Sequence, residues 1–186
     1  KDTAQITNLI MRLDACIEKY AHLEYRVARN IDGSIVYNVG DTQGSVVTLA
    51  KGEWGVSLSP DIALFKPCFG QKAQTLPAPG GSLSDLFEFI NIQERLRPLF
   101  LCLLVYYFVP QGQYPVLALY GAKGSGKSTA GEFIKAIVDP NESPLEMLDN
   151  KRLDDARVVL SSGYLSVIDN VSYISQEVSD LLAVAA

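Results

Sequence analysis

Gly121-Ala122-Lys123-Gly124-Ser125-Gly126-Lys127-Ser128-Thr129 matches G-x-x-x-x-G-K-[ST] at every fixed position. Such a run suits one task. Its backbone N–H groups surround a phosphate at a helix start, where the helix field favours negative charge. Gly121 and Gly126 are expected where a side chain would block the loop or its approach to phosphate. Lys127 brings a point charge to the terminal phosphates. Ser128 offers its hydroxyl to a magnesium ion that a triphosphate also holds. Ala122, Lys123, Gly124 and Ser125 line the loop, and Thr129 follows one residue further into the helix. The expected ligand is a nucleoside triphosphate. The loop itself does not choose adenine over guanine, and no Asn-Lys-x-Asp guanine reader occurs.

The second half of such a site is an acidic residue at the end of a neighbouring strand. Tyr164-Leu-Ser-Val-Ile-Asp169 supplies it. Asp169 is assigned to magnesium, through water, and lies far enough after Ser128 for a helix, a loop and another strand. Asn170 follows it. An amide orients water but cannot take its proton, so Asn170 joins Lys127 and Asp169 as a catalytic candidate while the general base stays unassigned. Asp-Asn is also good turn material, which would make Asp169 an ordinary strand-end turn residue, but the upstream loop favours the functional reading.

The flanks agree with the motif. Val116-Leu-Ala-Leu-Tyr120 reads as a strand, and Phe133, Ile134, Ile137 and Val138 fall on one helix face. Asp139-Pro140 and Pro144 close that helix. Upstream, Leu23–Arg29, Ser34–Val39, Ser45–Leu49, Trp54–Leu58 and Ala63–Phe65 are short strand candidates separated by Asp-Gly, Gly-Asp, Lys-Gly and Ser-Pro turns, an antiparallel meander. Trp54 is expected in its core. Arg26, Arg29, Lys51 and Lys66 are expected to solvate an exposed side rather than form a nucleic-acid face. A helix is expected over 3–20, and helical spacing resumes over 83–97. The expected organisation is a helix plus β module over 1–75, a Pro- and Gly-rich linker over 76–82, and a nucleotide-binding domain over 83–186.

The chain has 186 residues, 48% hydrophobic and 20% charged, with a net charge of −5. That is globular composition, with no general case for nucleic-acid binding from charge. Cys16, Cys68 and Cys102 give neither a disulfide framework nor a zinc spacing. Cys102 reads as a core residue, and His22 cannot make a histidine cluster. Leu99–Val109 is apolar but about half the roughly 20 residues of a membrane span; it reads as a buried helix stopped by Pro110. The expected setting is cytoplasmic, with no membrane. Arg152 and Arg157 read as surface ion-pair residues, Glu132 as solvent-facing and Glu177 as lying on a helix.

Tyr114-Pro-Val-Leu-Ala-Leu-Tyr120 with the loop that follows, Phe133–Leu145, Ile168-Asp-Asn-Val-Ser172 and Val178-Ser-Asp-Leu181 together resemble an ATP-binding family of bacterial prophages and other mobile elements, similar to the helicase-type ATPase part of phage primase–helicases. Tyr25-Arg-Val-Ala28, Asp32-Gly-Ser-Ile35 and Gly80-Gly-Ser-Leu83 match its lead-in section. The resemblance implies an α/β P-loop NTPase core, AAA+/superfamily 3 helicase-like, preceded by a small β-rich module. It implies ATP and Mg2+ as ligands, with Lys127 and Ser128 serving phosphate and metal and Asp169 serving metal. It further implies single-stranded or forked DNA and a homo-oligomer, a hexamer among the options, as partners of the complete protein. The Asp-Asn pair fits this family; the segment from Lys151 to Gly163 departs from it.

The leading expectation is an ATP-hydrolysing motor, a DNA helicase or remodelling ATPase of a phage-type replication module. The alternative is a nucleotide-dependent binding or assembly switch with slow hydrolysis; a small-molecule kinase ranks third. With no initiating Met and an apolar pattern running to Ala186, both ends read as cut. The family's later sensor and arginine-finger stretch is then expected to be missing, so this chain is expected to bind ATP better than it hydrolyses it.

Overall fold

Val, Ile and Tyr at alternate positions, broken by Gly-containing turns, build the first half of the fold. The computed structural model describes residues 23–58, 65–110, 113–148 and 152–185. The helix expected over 3–20, Cys16, His22 and most of the fifth strand candidate lie outside them. Strands β1 (Val27–Arg29), β2 (Ile35–Asn38), β3 (Ser45–Ala50) and β4 (Glu53–Leu58) form one antiparallel sheet in the order β1-β2-β3-β4. Val27 pairs with Tyr37, Tyr37 with Val47 and Val47 with Val56. The period of two therefore puts them on one face. Val27, Tyr37, Val39 and Val47 form a core on that face, with Phe108 and Tyr164 packed against it. The β1–β2 turn is held by Asp32, whose Oδ1 accepts the Ser34 N–H at 2.9 Å and the Ser34 hydroxyl at 2.6 Å.

Trp54 departs from expectation. It shares the face of Leu49, its register partner, yet it is 48% exposed. The cover given by Phe108 and Tyr164 lies over Val27, Tyr37, Val39 and Val47, on β1 to β3 and the residue after β2, and leaves β4 outside it.

Residues 83–97 do not form the single helix their spacing suggests. They make two 3₁₀ turns, Leu83–Glu88 capped by the Ser82 hydroxyl, and Glu94–Leu96. Helix α1 (Arg97–Tyr106) follows. Pro98 falls in the first turn of α1, where a missing N–H costs no bond within the helix. α1 ends before Pro110. Phe100, Leu104 and Tyr107 face inward, buried. Cys102 sits about 200° round the helix from Phe100 and is exposed, not in the core.

Helix α2 (Lys127–Val138) carries the main core. Its Ala130, Ile134 and Val138 pack with Ile90, Phe100, Leu104 and Tyr107. Val116–Tyr120 keeps the expected alternation, with Leu117 and Leu119 on this core and Val116 and Tyr120 exposed. It joins no ladder. Tyr164–Asp169 is likewise pinned by one parallel bridge, Glu146↔Ile168, rather than by a full strand pairing. Helices α3 (Leu153–Leu160) and α4 (Gln176–Ala185) complete the chain. Arg152 and Arg157 form exposed ion pairs with Asp155 and Asp154, each worth at most about 1 kcal/mol. Among the described residues no helix is long and apolar enough to cross a membrane.

Arg26 overturns the expectation of an exposed basic face. Its side chain is 0% exposed. Nε donates to Asp139 Oδ1 at 3.0 Å; Nη1 donates to the carbonyls of Asn38 and Val39; Nη2 donates to those of Lys72 and Pro140. All five guanidinium donors have acceptors, which is what lets a charge sit in this core. Arg29 and Lys51 are exposed, and Lys66 lies 3.7 Å from the centre of the Tyr25 ring.

Candidate functional site

The loop 121–126 turns into α2 because Gly126 adopts φ +81, a left-handed conformation open to glycine. Space around Gly126 is open, so conformation, not crowding, explains this glycine. Crowding does explain Gly121, where a Cβ would lie 2.6 Å from Ser125 Oγ. The Ser125 N–H closes a turn onto the Ala122 carbonyl at 3.2 Å. Gly126 has no side chain to cap the helix, and the first main-chain bond inside α2 reaches back from the Ala130 N–H to the Gly126 carbonyl. The N–H groups of Lys127, Ser128 and Thr129 therefore form the positive end of the helix.

Lys127 folds over the loop. Its ammonium donates to the carbonyls of Gly121 at 3.0 Å and Ala122 at 2.8 Å, and to Ser125 Oγ at 3.4 Å. Ser128 Oγ stands 2.9 and 3.0 Å from the two oxygens of Asp169. A hydroxyl has one proton, so this is one shared bond that centres the carboxylate on the serine. Lys123 and Gly124 are exposed, as is Thr129. The structure thus brings Lys127, Ser128 and Asp169 to one end of α2. Asn170 is exposed with φ +56. Asn tolerates that region better than most residues. Glu132 faces solvent, and Glu177 lies exposed in the first turn of α4.

Three contacts seat Tyr164–Asp169 along α2. Ser128 meets Asp169; Gly131 faces Val167, whose Cγ1 would stand 2.8 Å from an added Cβ; and Lys135 donates to the Leu165 carbonyl. Ser128 and Lys135 are seven residues apart, two turns and about 10.5 Å along one helix face. Four extended residues from 165 to 169 cover about 13 Å. The two lengths match, so the segment runs back along the helix and ends at its N-terminus. The Asp169 N–H also donates to the Glu146 carbonyl at 2.9 Å, and the Glu146 N–H to that of Val167 at 2.8 Å. Gly131→Ala is expected to lift the segment off the helix and destabilise the fold by about 1–3 kcal/mol, an overpacking effect. Thermal or urea unfolding against wild type measures it; unchanged stability would mean that Val167 gives way freely.

Asp139 closes the far end. Its Oδ1 receives Arg26; its Oδ2 receives Lys135 Nζ at 2.9 Å and the N–H groups of Tyr164 and Leu165 at 3.1 and 3.2 Å. Burial opposes its charge. The Lys135 ammonium, the Leu165 N–H and the Arg26 guanidinium outweigh burial and hold the carboxyl below its ordinary value. Glu146 goes the other way: burial raises its carboxyl despite the charge of Lys135 and a bond from Ser162, and its Oε2 is buried without a partner. An i,i+4 Lys–Asp pair in an apolar helix end is the only sequence signal for this cluster.

Among the described residues, no group of three or more His, Cys, Asp or Glu side chains could hold a metal by itself. The Ser128 hydroxyl and Asp169 carboxylate are hard oxygen donors that suit magnesium when phosphate and water supply the remaining positions. An apolar cavity of about 410 Å³ lies elsewhere, lined by Leu83, Leu86, Leu104, Val105, Phe108 and Ile137; it lacks the polar groups a nucleotide needs.

The family model of the actinomycete integrative conjugative element replication protein matches residues 82–186. That is more than half of the chain, and it takes in the loop, α2 and Asp169. The chain belongs to this family. It is a replication-protein family of a mobile element, the coarser part of what the sequence resemblance implies. Comparison with curated proteins and with solved structures finds no match.

Proposed function

We propose that residues 121–129 and Asp169 form a magnesium–ATP site on a P-loop NTPase core, and that the protein is an ATPase of a mobile element's replication module, a DNA helicase or remodelling motor. The observation that carries this reading is the meeting of Ser128 and Asp169 at the N-terminus of α2, beside the Lys127 ammonium. Backbone N–H groups of the first helical turn bind phosphate; Lys127 turns its charge from the Gly121 and Ala122 carbonyls to the terminal phosphates; Ser128 and Asp169 hold the metal. A magnesium ion held by Ser128 and Asp169 would supply positive charge to the phosphates. Membership of a replication-protein family supports DNA as a partner, and the resemblance to primase–helicase ATPases supports an oligomer.

Titration of labelled ATP with and without magnesium tests the site. Asp169→Asn is expected to leave metal-free affinity nearly unchanged and to abolish the magnesium-dependent part, along with any turnover. An Asp169→Asn protein that binds magnesium–ATP as wild type does would remove Asp169 from the site. ATP turnover measured with and without single-stranded DNA separates motor from switch. Stimulation by DNA supports the motor; slow turnover indifferent to DNA supports a binding or assembly switch.

A further inference from the structure

Nothing in the phosphate-loop motif requires Arg26, Lys135 or Asp139, yet they form the most heavily bonded buried cluster among the described residues. Arg26 and the Lys135–Asp139 pair have side chains 0–3% exposed. The cluster touches three parts of the fold. Through Arg26 it holds the carbonyls of Asn38 and Val39, at the end of β2, and those of Lys72 and Pro140. Through Asp139 Oδ2 it holds the Tyr164 and Leu165 N–H groups. Through Lys135 it holds the Leu165 carbonyl. The last two fix both sides of one peptide region, four residues before Asp169.

Position on α2 gives this fixing its consequence. Lys135 and Ser128 lie on the same helix face two turns apart, and Gly131 lies between them against Val167. The segment 164–169 is thus held at its start by charge, in the middle by close contact and at its end by the Ser128–Asp169 bond. The Glu146 bonds to Val167 and Asp169 tie the segment to residue 146, not to α2. Held on α2 at Leu165 as well as at Asp169, the segment has one register, and that register delivers the Asp169 carboxylate to Ser128. Arg26 extends the same constraint to the sheet, at the end of α2 away from the loop.

We propose that Lys135 and Asp139 are positioning residues for Asp169, setting the register of the 164–169 segment on α2, and that Arg26 couples the β meander to that register. The proposal rests on the magnesium–ATP reading for its functional consequence, while the register itself is measured without nucleotide. A simple packing role would have the cluster stabilise the whole fold with no special effect at Asp169.

The test uses Lys135→Met, which keeps most of the length of the side chain, loses only the ammonium end and leaves the Arg26–Asp139 pair in place, with Asp139→Asn as a second variant of nearly unchanged shape. Amide hydrogen exchange is followed along the chain. The Tyr164, Leu165 and Asp169 amides are expected to exchange at least about 10-fold faster in Lys135→Met, while those of β1–β3 and of the second half of α2 keep wild-type rates. Labelled-ATP titration on the same samples is expected to show metal-free affinity within about 2-fold of wild type and loss of most of the magnesium-dependent increase. Uniform acceleration over the whole chain, or unchanged exchange at 164–169, would overturn the proposal. So would local acceleration with a full magnesium effect. If wild type binds no ATP, the nucleotide reading fails on that arm, and the exchange at Asp169 still decides whether the register depends on Lys135.

Discussion

Asp139→Ala is expected to destabilise the protein by about 3–5 kcal/mol, the effect of leaving buried charge without its counter-ion. The size follows from what remains. Arg26 and Lys135 would sit in the core with carbonyl partners and no anion. The Tyr164 and Leu165 N–H groups would also lose their acceptor. Against a total stability of roughly 5–15 kcal/mol, this is enough to unfold a marginal domain. Urea unfolding at neutral pH measures it, and a loss below about 1 kcal/mol, the size of an exposed pair, would mean that water already reaches the cluster.

The pH dependence carries the same information with a definite sign. The folded Asp139 carboxyl lies below its ordinary value of 3.8. Its stabilisation is therefore present above that value and is lost as pH falls below it and through the lower folded value. Glu146 acts oppositely. Its carboxyl is raised by burial, so the folded chain takes up that proton first and its contribution improves as pH falls from neutral. Wild type should lose stability most steeply below about pH 4. Asp139→Asn, starting from a lower plateau, should lose that part of the acid limb.

The local elements are legible in the sequence because local rules make them. The turns at Asp32-Gly33 and Gly40-Asp41 and the alternation of Val27, Tyr37 and Val47 are enough to place β1–β3. The glycines and lysine of the loop likewise mark the start of α2, and the spacing of Ile134 and Val138 marks its buried face. What stays hidden depends on partners distant in sequence. Arg26 reads as a solvent-facing cation because its acceptors are backbone carbonyls at 38, 39, 72 and 140, and carbonyls leave no trace in side-chain pattern. Cys102 and Trp54 read as core because apolar character does not say which face of a helix, or which edge of a sheet, is left open. The 3₁₀ turns before α1 escape the pattern for a narrower reason: Leu83, Leu86, Phe87 and Ile90 satisfy helical spacing, and spacing of three and four residues does not separate a 3₁₀ turn from an α-helix.

Lys127→Ala is expected to weaken magnesium–ATP binding by about 10–100-fold while the fold stays intact. The magnitude is that of one or two charge-assisted hydrogen bonds, about 1.5–3 kcal/mol, at 1.4 kcal/mol per factor of ten. The fold should survive because Lys127 is only partly buried and its present partners are two loop carbonyls and a hydroxyl near solvent. Their loss should cost at most about 1 kcal/mol. This contrast with Asp139→Ala is the useful one: one substitution should remove ligand affinity and leave stability, the other should remove stability first. Lys127→Arg sharpens the test. A guanidinium is planar and larger, and it cannot act as a compact point charge between the Gly121 and Ala122 carbonyls. It should restore little of the affinity, although it keeps the charge. Titration of labelled ATP in magnesium, with thermal unfolding of each sample, gives both quantities. Equal affinity in folded wild type and Lys127→Ala would mean that the loop 121–129 holds no triphosphate. A loss restored in full by Lys127→Arg would assign the effect to overall charge at the helix end, not to the reach of one ammonium.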